Sequence, residues 1–292
     1  APVCSRPTWR RREAPLPRMN SPEAASPLLR QPGWPGDGGF RLGSVDSLNA
    51  VPLTRGLEDR VLFTAPARLA ELLRAGRLDA ALLSVTEWLR NPAYTALDGI
   101  AIASRGPVRS VLLAHRRPLE ELRAVHCDPA SLASVSLLRV LLAARGLRPA
   151  FTPLPDYAAA PACEAVLLIG DRALDFAQAG HPHQLWDLGA AWQALTGLPF
   201  VYALWTLRPG ADAAGLAALL RAARDRGLAE LEAIIAARRD YPAAFCREYL
   251  TRHIRFDLGA EEKRGIEEFA ARLRRLGNGP LYPPRYAPLS PR

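Results

Sequence analysis

From residue 40 onward, short apolar runs alternate with stretches of helical periodicity, and this alternation constrains the fold more than any other feature of the chain. Runs at 40–45, 60–64, 78–84 and 100–104 are separated by helical patterns, of which 66–75 is the clearest. A second series follows at 108–115, 124–128, 150–153 and 165–169, with a helix predicted over 131–145 and stopped by Gly146. Strand and helix in alternation predict βα units and a mostly parallel sheet. After a last run at 200–207 the pattern turns wholly helical, over 211–239, 241–253 and 261–276. The expected architecture is α/β with two lobes and a ligand cleft between them, the lobes joined near 104–107 and again near 198–202. Residues 39–104 plus 203–292 form lobe 1, with the C-terminal helices packed back on it, and residues 105–202 form lobe 2. Residues 1–38 are rich in Pro, Arg, Ser and Gly, show no periodicity and read as a disordered leader. The leader holds the chain's one methionine, Met19, a candidate translation start, and has no apolar stretch of the kind a secretory signal needs.

Composition narrows the function classes. Hydrophobic residues at 49% and charged residues at 23% are ordinary for a soluble globular protein. No apolar run approaches the roughly 20 residues of a bilayer span, so no membrane partner is expected. The formal charge is +9, yet the arginines are scattered along helical faces and Lys263 is the only lysine. Without a dense basic stripe interleaved with aromatics, nucleic acid is not an expected partner; a positive field suits a small anionic metabolite. Cys4, Cys127, Cys163 and Cys246 are far apart and read as free thiols of a reducing compartment. His181 and His183 flank Pro182 in a loop with no third ligand nearby, so no metal is expected.

In open α/β sheets ligands bind beyond the carboxyl ends of strands, and those ends carry small polar groups here. Gly43-Ser44-Val45-Asp46-Ser47-Leu48-Asn49-Ala50-Val51-Pro52-Leu53 runs from a short strand into a helix start, where backbone N–H groups without intrahelical partners favour a carboxylate or phosphate. Ser47 and Asn49 either add side-chain donors to such a site or serve as ordinary N-caps. Ser84 and Thr86, Ser104 with Gly106, Ser131 and Ser134, and Gly170 with Asp171 follow the other strands. Hydroxyls and helix starts repeated at several strand ends suit an anion with several oxygens. Neither a G-x-S-x-G elbow nor a phosphate-cradling loop with its lysine is present.

Taken together, the motifs resemble the chorismate dehydratase family of the futalosine route to menaquinone. The resemblance runs from about Phe40 to Leu289. It is carried by the 43–53 stretch, by Leu78-Asp79-Ala80-Ala81-Leu82-Leu83-Ser84, Gly106-Pro107-Val108-Arg109-Ser110-Val111 and Leu168-Ile169-Gly170-Asp171-Arg172-Ala173-Leu174. Most specific is Asp187-Leu188-Gly189-Ala190-Ala191-Trp192, continuing into Thr196-Gly197-Leu198-Pro199-Phe200-Val201-Tyr202-Ala203-Leu204-Trp205. The sister family that forms 1,4-dihydroxy-6-naphthoate shares the Asp-Leu-Gly and Thr-Gly-Leu-Pro words but differs after the proline. The resemblance implies a type II periplasmic-binding-protein-like fold and a cytoplasmic lyase without metal or organic cofactor; the apolar spacing of the helices from Ala211 onward fits internal packing or a dimer surface, so a monomer or homodimer is expected. The lyase would remove water from chorismate to leave 3-(1-carboxyvinyloxy)benzoate. Asn49 is then the expected catalytic residue. Substrate contacts are expected at Ser47, Ser84, Thr86, Ser104, Gly106, Pro107, Val108, Ser131, Ser134, Gly170 and Asp171. One departure stands out: relatives usually carry an aromatic residue, commonly tyrosine, where this chain has Ser47. The rival readings are the sister enzyme and a non-catalytic solute-binding protein for a small carboxylate.

Overall fold

The computed structural model describes residues 39–128, 131–277 and 279–287. The leader at 1–38, Met19, Cys4 and the residues after 287 lie outside the described residues. In chain order the elements are β1 (Leu42–Ser44), α1 (Val51–Thr54), β2 (Val61–Phe63), α2 (Pro66–Arg74), β3 (Ala80–Ser84), α3 (Val85–Leu89) and β4 (Thr95–Ser104). Then come β5 (Val111–His115), β6 (Ala124–Cys127), α4 (Leu132–Ala144), β7 (Ala150–Pro153), β8 (Ala165–Ile169), α5 (Gly170–Gln178), β9 (Gln184–Asp187) and α6 (Leu188–Thr196). The chain closes with β10 (Phe200–Leu207), α7 (Ala213–Ala229), α8 (Leu231–Ala237), α9 (Ala243–Glu248), α10 (Ala260–Arg275) and β11 (Tyr286–Ala287).

These strands form two sheets, one per lobe. The first has six strands in the order β11-β4-β10-β3-β1-β2, and the second five in the order β7-β6-β8-β5-β9. Both are mixed, which corrects the expectation of a mostly parallel sheet. Strands joined through crossovers pair in parallel, as β1 does with β2 and β3, and β6 with β7 and β8. The first strand laid down after each passage between sheets is the exception: β5 runs antiparallel to β8 and β9, and β10 antiparallel to β3 and β4. β4 leads to β5 and β9 leads through α6 to β10 across to the other sheet, so neither strand is bound by the same-sheet crossover that makes neighbours parallel.

Asp79 fastens the amino edge of the first sheet. Its carboxylate accepts from the Arg41 side chain at 2.9 Å and from Arg208 at 2.8 Å, tying together the chain before β1, before β3 and after β10. Burial raises the pKa of this carboxyl, but the Arg41 and Arg208 donors outweigh it and hold it at about 2.

α4 joins the two lobes. Its sequence LASVSLLRVLLAA is apolar nearly all round, and a helix of that kind is stable only when covered on most sides. It touches α3 and β10 of the first lobe, β8 and α6 of the second, and α10. Beside it, Trp192, Phe200 and Phe269 pack edge to face and lock α6, β10 and α10 together.

The helical tail departs from its sequence reading in two places. The expected helix over 211–239 breaks at Glu230, which ends α7 and starts α8 while its carboxylate pairs with Arg55 and Arg226. The expected helix over 241–253 shortens to α9 and widens into a π-helical turn at Tyr249–His253. Among the described residues no helix is long and apolar enough to cross a membrane.

Candidate active site

Between the lobes lies a cavity of about 340 Å³. Its walls are the carboxyl ends of β1 and β3 with Ile102, Tyr202 and Ala203 from the first sheet, and the carboxyl ends of β6 and β8 with Val108, Ser110 and Val111 from the second. Eight of the expected residues line it: Ser47, Asn49, Ser84, Val108, Ser131, Ser134, Gly170 and Asp171. Their common location follows from topology, since each stands just past a strand end or at a passage between sheets.

Four expected residues stand behind the wall. Thr86 is buried inside α3. The Ser104 hydroxyl is engaged by Tyr202 Oη at 3.0 Å and the Gly106 carbonyl at 3.3 Å. Gly106 adopts φ 97°, a left-handed geometry that suits glycine, and the Pro107 carbonyl contacts His253 Nδ1 at 2.8 Å. The backbone donors of this loop are also taken: Asp187 accepts from Val108 N at 3.1 Å and Arg109 N at 2.8 Å while capping α6 through Gly189 N and Ala190 N. Gly189 must be glycine here, because a Cβ would lie 2.5 Å from the Gly106 carbonyl. The Asp-Leu-Gly word thus builds the wall rather than touching the cavity.

The 43–53 stretch forms its site by an unexpected route. Ala50 occupies the N-cap of the one-turn α1, with no side-chain cap, so neither Ser47 nor Asn49 is the helix cap. Instead Ser47 Oγ donates to Asn49 Oδ1 at 2.7 Å, and Asn49 Nδ2 donates to Tyr249 Oη at 3.2 Å. The anion held at this turn belongs to the protein: Asp171 Oδ1 accepts from Leu48 N at 3.1 Å, across the cleft. Burial raises the pKa of Asp171, against the opposing pull of Leu48 N–H and of Arg238.

On the second lobe, Ser131 stands at the N-cap of α4 with its hydroxyl buried and, among the described residues, without a hydrogen-bond partner. Ala133 and Ser134 of the first helical turn share that wall. Arg172 is the only cationic side chain lining the cavity among the described residues, and its guanidinium carbon lies 4.7 Å from the Tyr157 ring centre. Tyr157 in turn donates to Asp128. Burial raises the pKa values of Tyr157, Tyr202 and Tyr249, which keeps all three neutral hydrogen-bonding groups. Arg172, Tyr202, Ser110 and Tyr249 were not expected as site residues. Ser110, Arg172 and Tyr202 sit inside words already singled out, and their immediate neighbours were the available signal. Elsewhere, Cys127, Cys163 and Cys246 are free thiols, with Cys127 pushed up to about 12 by burial. His183 contacts the Cys163 carbonyl at 2.8 Å, and among the described residues no His, Cys, Asp and Glu group is arranged to hold a metal.

A family model described as menaquinone biosynthesis matches residues 40–275. A chorismate dehydratase from Thermus thermophilus is 31% identical over 258 residues, covering 80% of this chain and 95% of the relative. Among solved structures, a protein from Archaeoglobus fulgidus superposes with a TM-score of 0.67 at 12% identity, covering 82% of this chain and 97% of its own. The periplasmic aliphatic sulphonate binding protein of Escherichia coli gives 0.51 at 17% identity, with 86% and 94% covered. These structural likenesses show the two-lobed α/β fold of the periplasmic binding proteins, as the arrangement of the two sheets does. With most of its length matched by the family model, the chain belongs to the menaquinone biosynthesis family.

Proposed function

We propose that this protein is a chorismate dehydratase, a carbon–oxygen lyase of the cytoplasm that removes water from chorismate to form 3-(1-carboxyvinyloxy)benzoate. The observation that carries the reading is one cavity facing both Asn49 of the first lobe and the start of α4 in the second. Chorismate presents two carboxylates, a hydroxyl on C4 and a hydrogen on C3. In the reaction the C3–H bond breaks, its electron pair forms the C3–C4 double bond, and the C4–O bond breaks. The proton and hydroxide leave as water, and the ring becomes aromatic. Because aromatisation drives the step, the site has mainly to orient the reactant and stabilise charge as it moves.

One carboxylate rests on the start of α4. The unpartnered Ser131 hydroxyl, the Ser134 hydroxyl and the positive end of the helix favour it, and a buried hydroxyl without a partner is itself a cost that a ligand oxygen removes. The second lies toward Ser84 and Arg172, since the Val108 amide and the Ser104 hydroxyl already have protein partners. Asn49 orients the C4 hydroxyl as it departs. An amide is too weakly basic to take the C3 proton, so a carboxylate of the substrate itself receives it. Asp171 is meanwhile engaged by Leu48 and lies 3.5 Å from Arg238.

Mass spectrometry on a panel of carboxylates tests this reading. Chorismate is expected to lose one water in the presence of the protein, while the substrate of the naphthoate-forming sister enzyme stays unchanged. The converse result assigns the protein to the sister activity, and binding of chorismate without any mass change makes it a carrier.

A further inference from the structure

Four side chains drawn from three separate segments form a single run of hydrogen bonds along the cavity wall, three of them lining the cavity. Ser47 Oγ donates to Asn49 Oδ1 at 2.7 Å, Asn49 Nδ2 donates to Tyr249 Oη at 3.2 Å, and Tyr249 Oη donates to Ser110 Oγ at 2.8 Å. Ser110 Oγ donates onward to the Val108 carbonyl at 3.4 Å. A carbonyl only accepts, so every hydroxyl in the run points the same way. The Tyr249 hydroxyl, having given its hydrogen to Ser110, turns a lone pair toward Asn49 and selects the nitrogen of the amide as the atom facing it. Ser47 selects the oxygen at the other end. With both ends tied, the amide keeps one N–H and one lone pair for the cavity.

Tyr249 itself does not line the cavity; it is 1% exposed and opens the π-helical turn after α9. Such a turn inserts an extra residue into the helical repeat and re-aims the side chains around it, and π-helical turns recur at functional sites. Ser110 is equally buried, at 1%, and lies just before β5 on the second lobe. A buried tyrosine with its hydroxyl between two partners is a rigid strut.

We infer that Tyr249 is a positioning residue, which acts through Asn49 by fixing the orientation of its amide, with Ser110 as its anchor on the other lobe. The inference rests on the dehydratase reading above. Its consequence is a split in the kinetic constants: losing the strut leaves the carboxylate contacts intact, so substrate still binds, while the amide samples orientations that do not assist the departing hydroxyl.

The test is a double-mutant cycle on chorismate turnover with Tyr249→Phe, Asn49→Ala and the combined variant, each checked for its melting temperature. Tyr249→Phe is expected to lower kcat by about 10- to 100-fold while KM stays within about threefold. In the Asn49→Ala background the same change is expected to cost less than about threefold, because the residue it positions is gone. Unchanged kcat in Tyr249→Phe overturns the inference, and so do losses that multiply in the combined variant. Should Tyr249→Phe fail to fold, Ser110→Ala takes its place: a fall in kcat at constant KM that vanishes without Asn49 supports the strut, and normal kcat refutes it. If the unmodified protein turns chorismate over, these outcomes bear on Tyr249 alone. If it does not, the dehydratase reading fails first and the inference falls with it.

Discussion

Asn49 owes its place on the cavity to its side-chain partners rather than to helix capping. From sequence, Ser47 and Asn49 fit a cap or an anion site equally well, because both uses ask for the same short polar side chains at a helix start. The structure leaves the cap to Ala50 and turns Ser47 onto the Asn49 amide. Local pattern reaches that far and no further: Tyr249, the other partner of the amide, is 200 residues away, and nothing in a window around either residue announces the contact. Ser131 and Ser134 were more legible, since a hydroxyl at the start of a strongly apolar helix just past a strand points to a cleft by topology alone. In the proposed binding mode, replacing Ser134 by Ala removes a cavity-lining hydroxyl that would meet the substrate carboxylate in the ground state and the transition state alike. Steady-state kinetics with chorismate are therefore expected to show KM raised about tenfold with kcat within about threefold. An unchanged KM would count against a carboxylate at this end of α4.

The strands at 150–153, 165–169 and 200–207 are readable to the residue because each is a compact apolar or β-branched run bounded by turn residues. β9 was missed: Gln184-Leu185-Trp186-Asp187 is an edge strand without a continuous apolar signature, and Leu185 is 39% exposed. Direction was also missed, since pairing sense depends on how the chain passes between sheets and not on the strands themselves. The joints between elements carry two predictions. Gly189→Ala sets a methyl group 2.5 Å from the Gly106 carbonyl and 2.8 Å from Ser104 Oγ, both fixed by other contacts. It is expected to destabilise the protein by about 2–3 kcal/mol in urea unfolding, and a loss below about 0.5 kcal/mol would show that the 104–109 loop yields freely. Asp79 binds three strand ends with its pKa held at about 2, below the ordinary 3.8. A carboxyl depressed in the folded state contributes its full stabilisation above the unfolded value, and that contribution drains away as the pH falls from about 4 toward 2. Asp79→Asn should cost about 3 kcal/mol at neutral pH, and the gap from the parent protein should narrow across that acid window. A constant gap would show that the Asp79 charge is not what matters.

At the scale of the whole molecule, α4 sets the arrangement. It is too apolar to lie on one lobe alone, so it is covered by elements of both, and its first turn is left at the cavity between them. The most specific words of the chain then serve that arrangement. Asp187 clamps the 106–109 loop, Gly189 admits it, Trp192 donates to the Pro199 carbonyl at 3.1 Å, and Gly197 turns the chain into β10. Two lobes and a cleft were therefore legible, because strand and helix alternate in two series, whereas the polar groups that complete the cavity come from segments remote in sequence. The measurement that tests the central claim most directly is proton NMR of chorismate mixed with the purified protein, following the ring signals. The account predicts that the cyclohexadiene signals give way to those of a 3-substituted benzoate with its enolpyruvyl group intact. Persistence of the chorismate spectrum beside well-folded protein would contradict it.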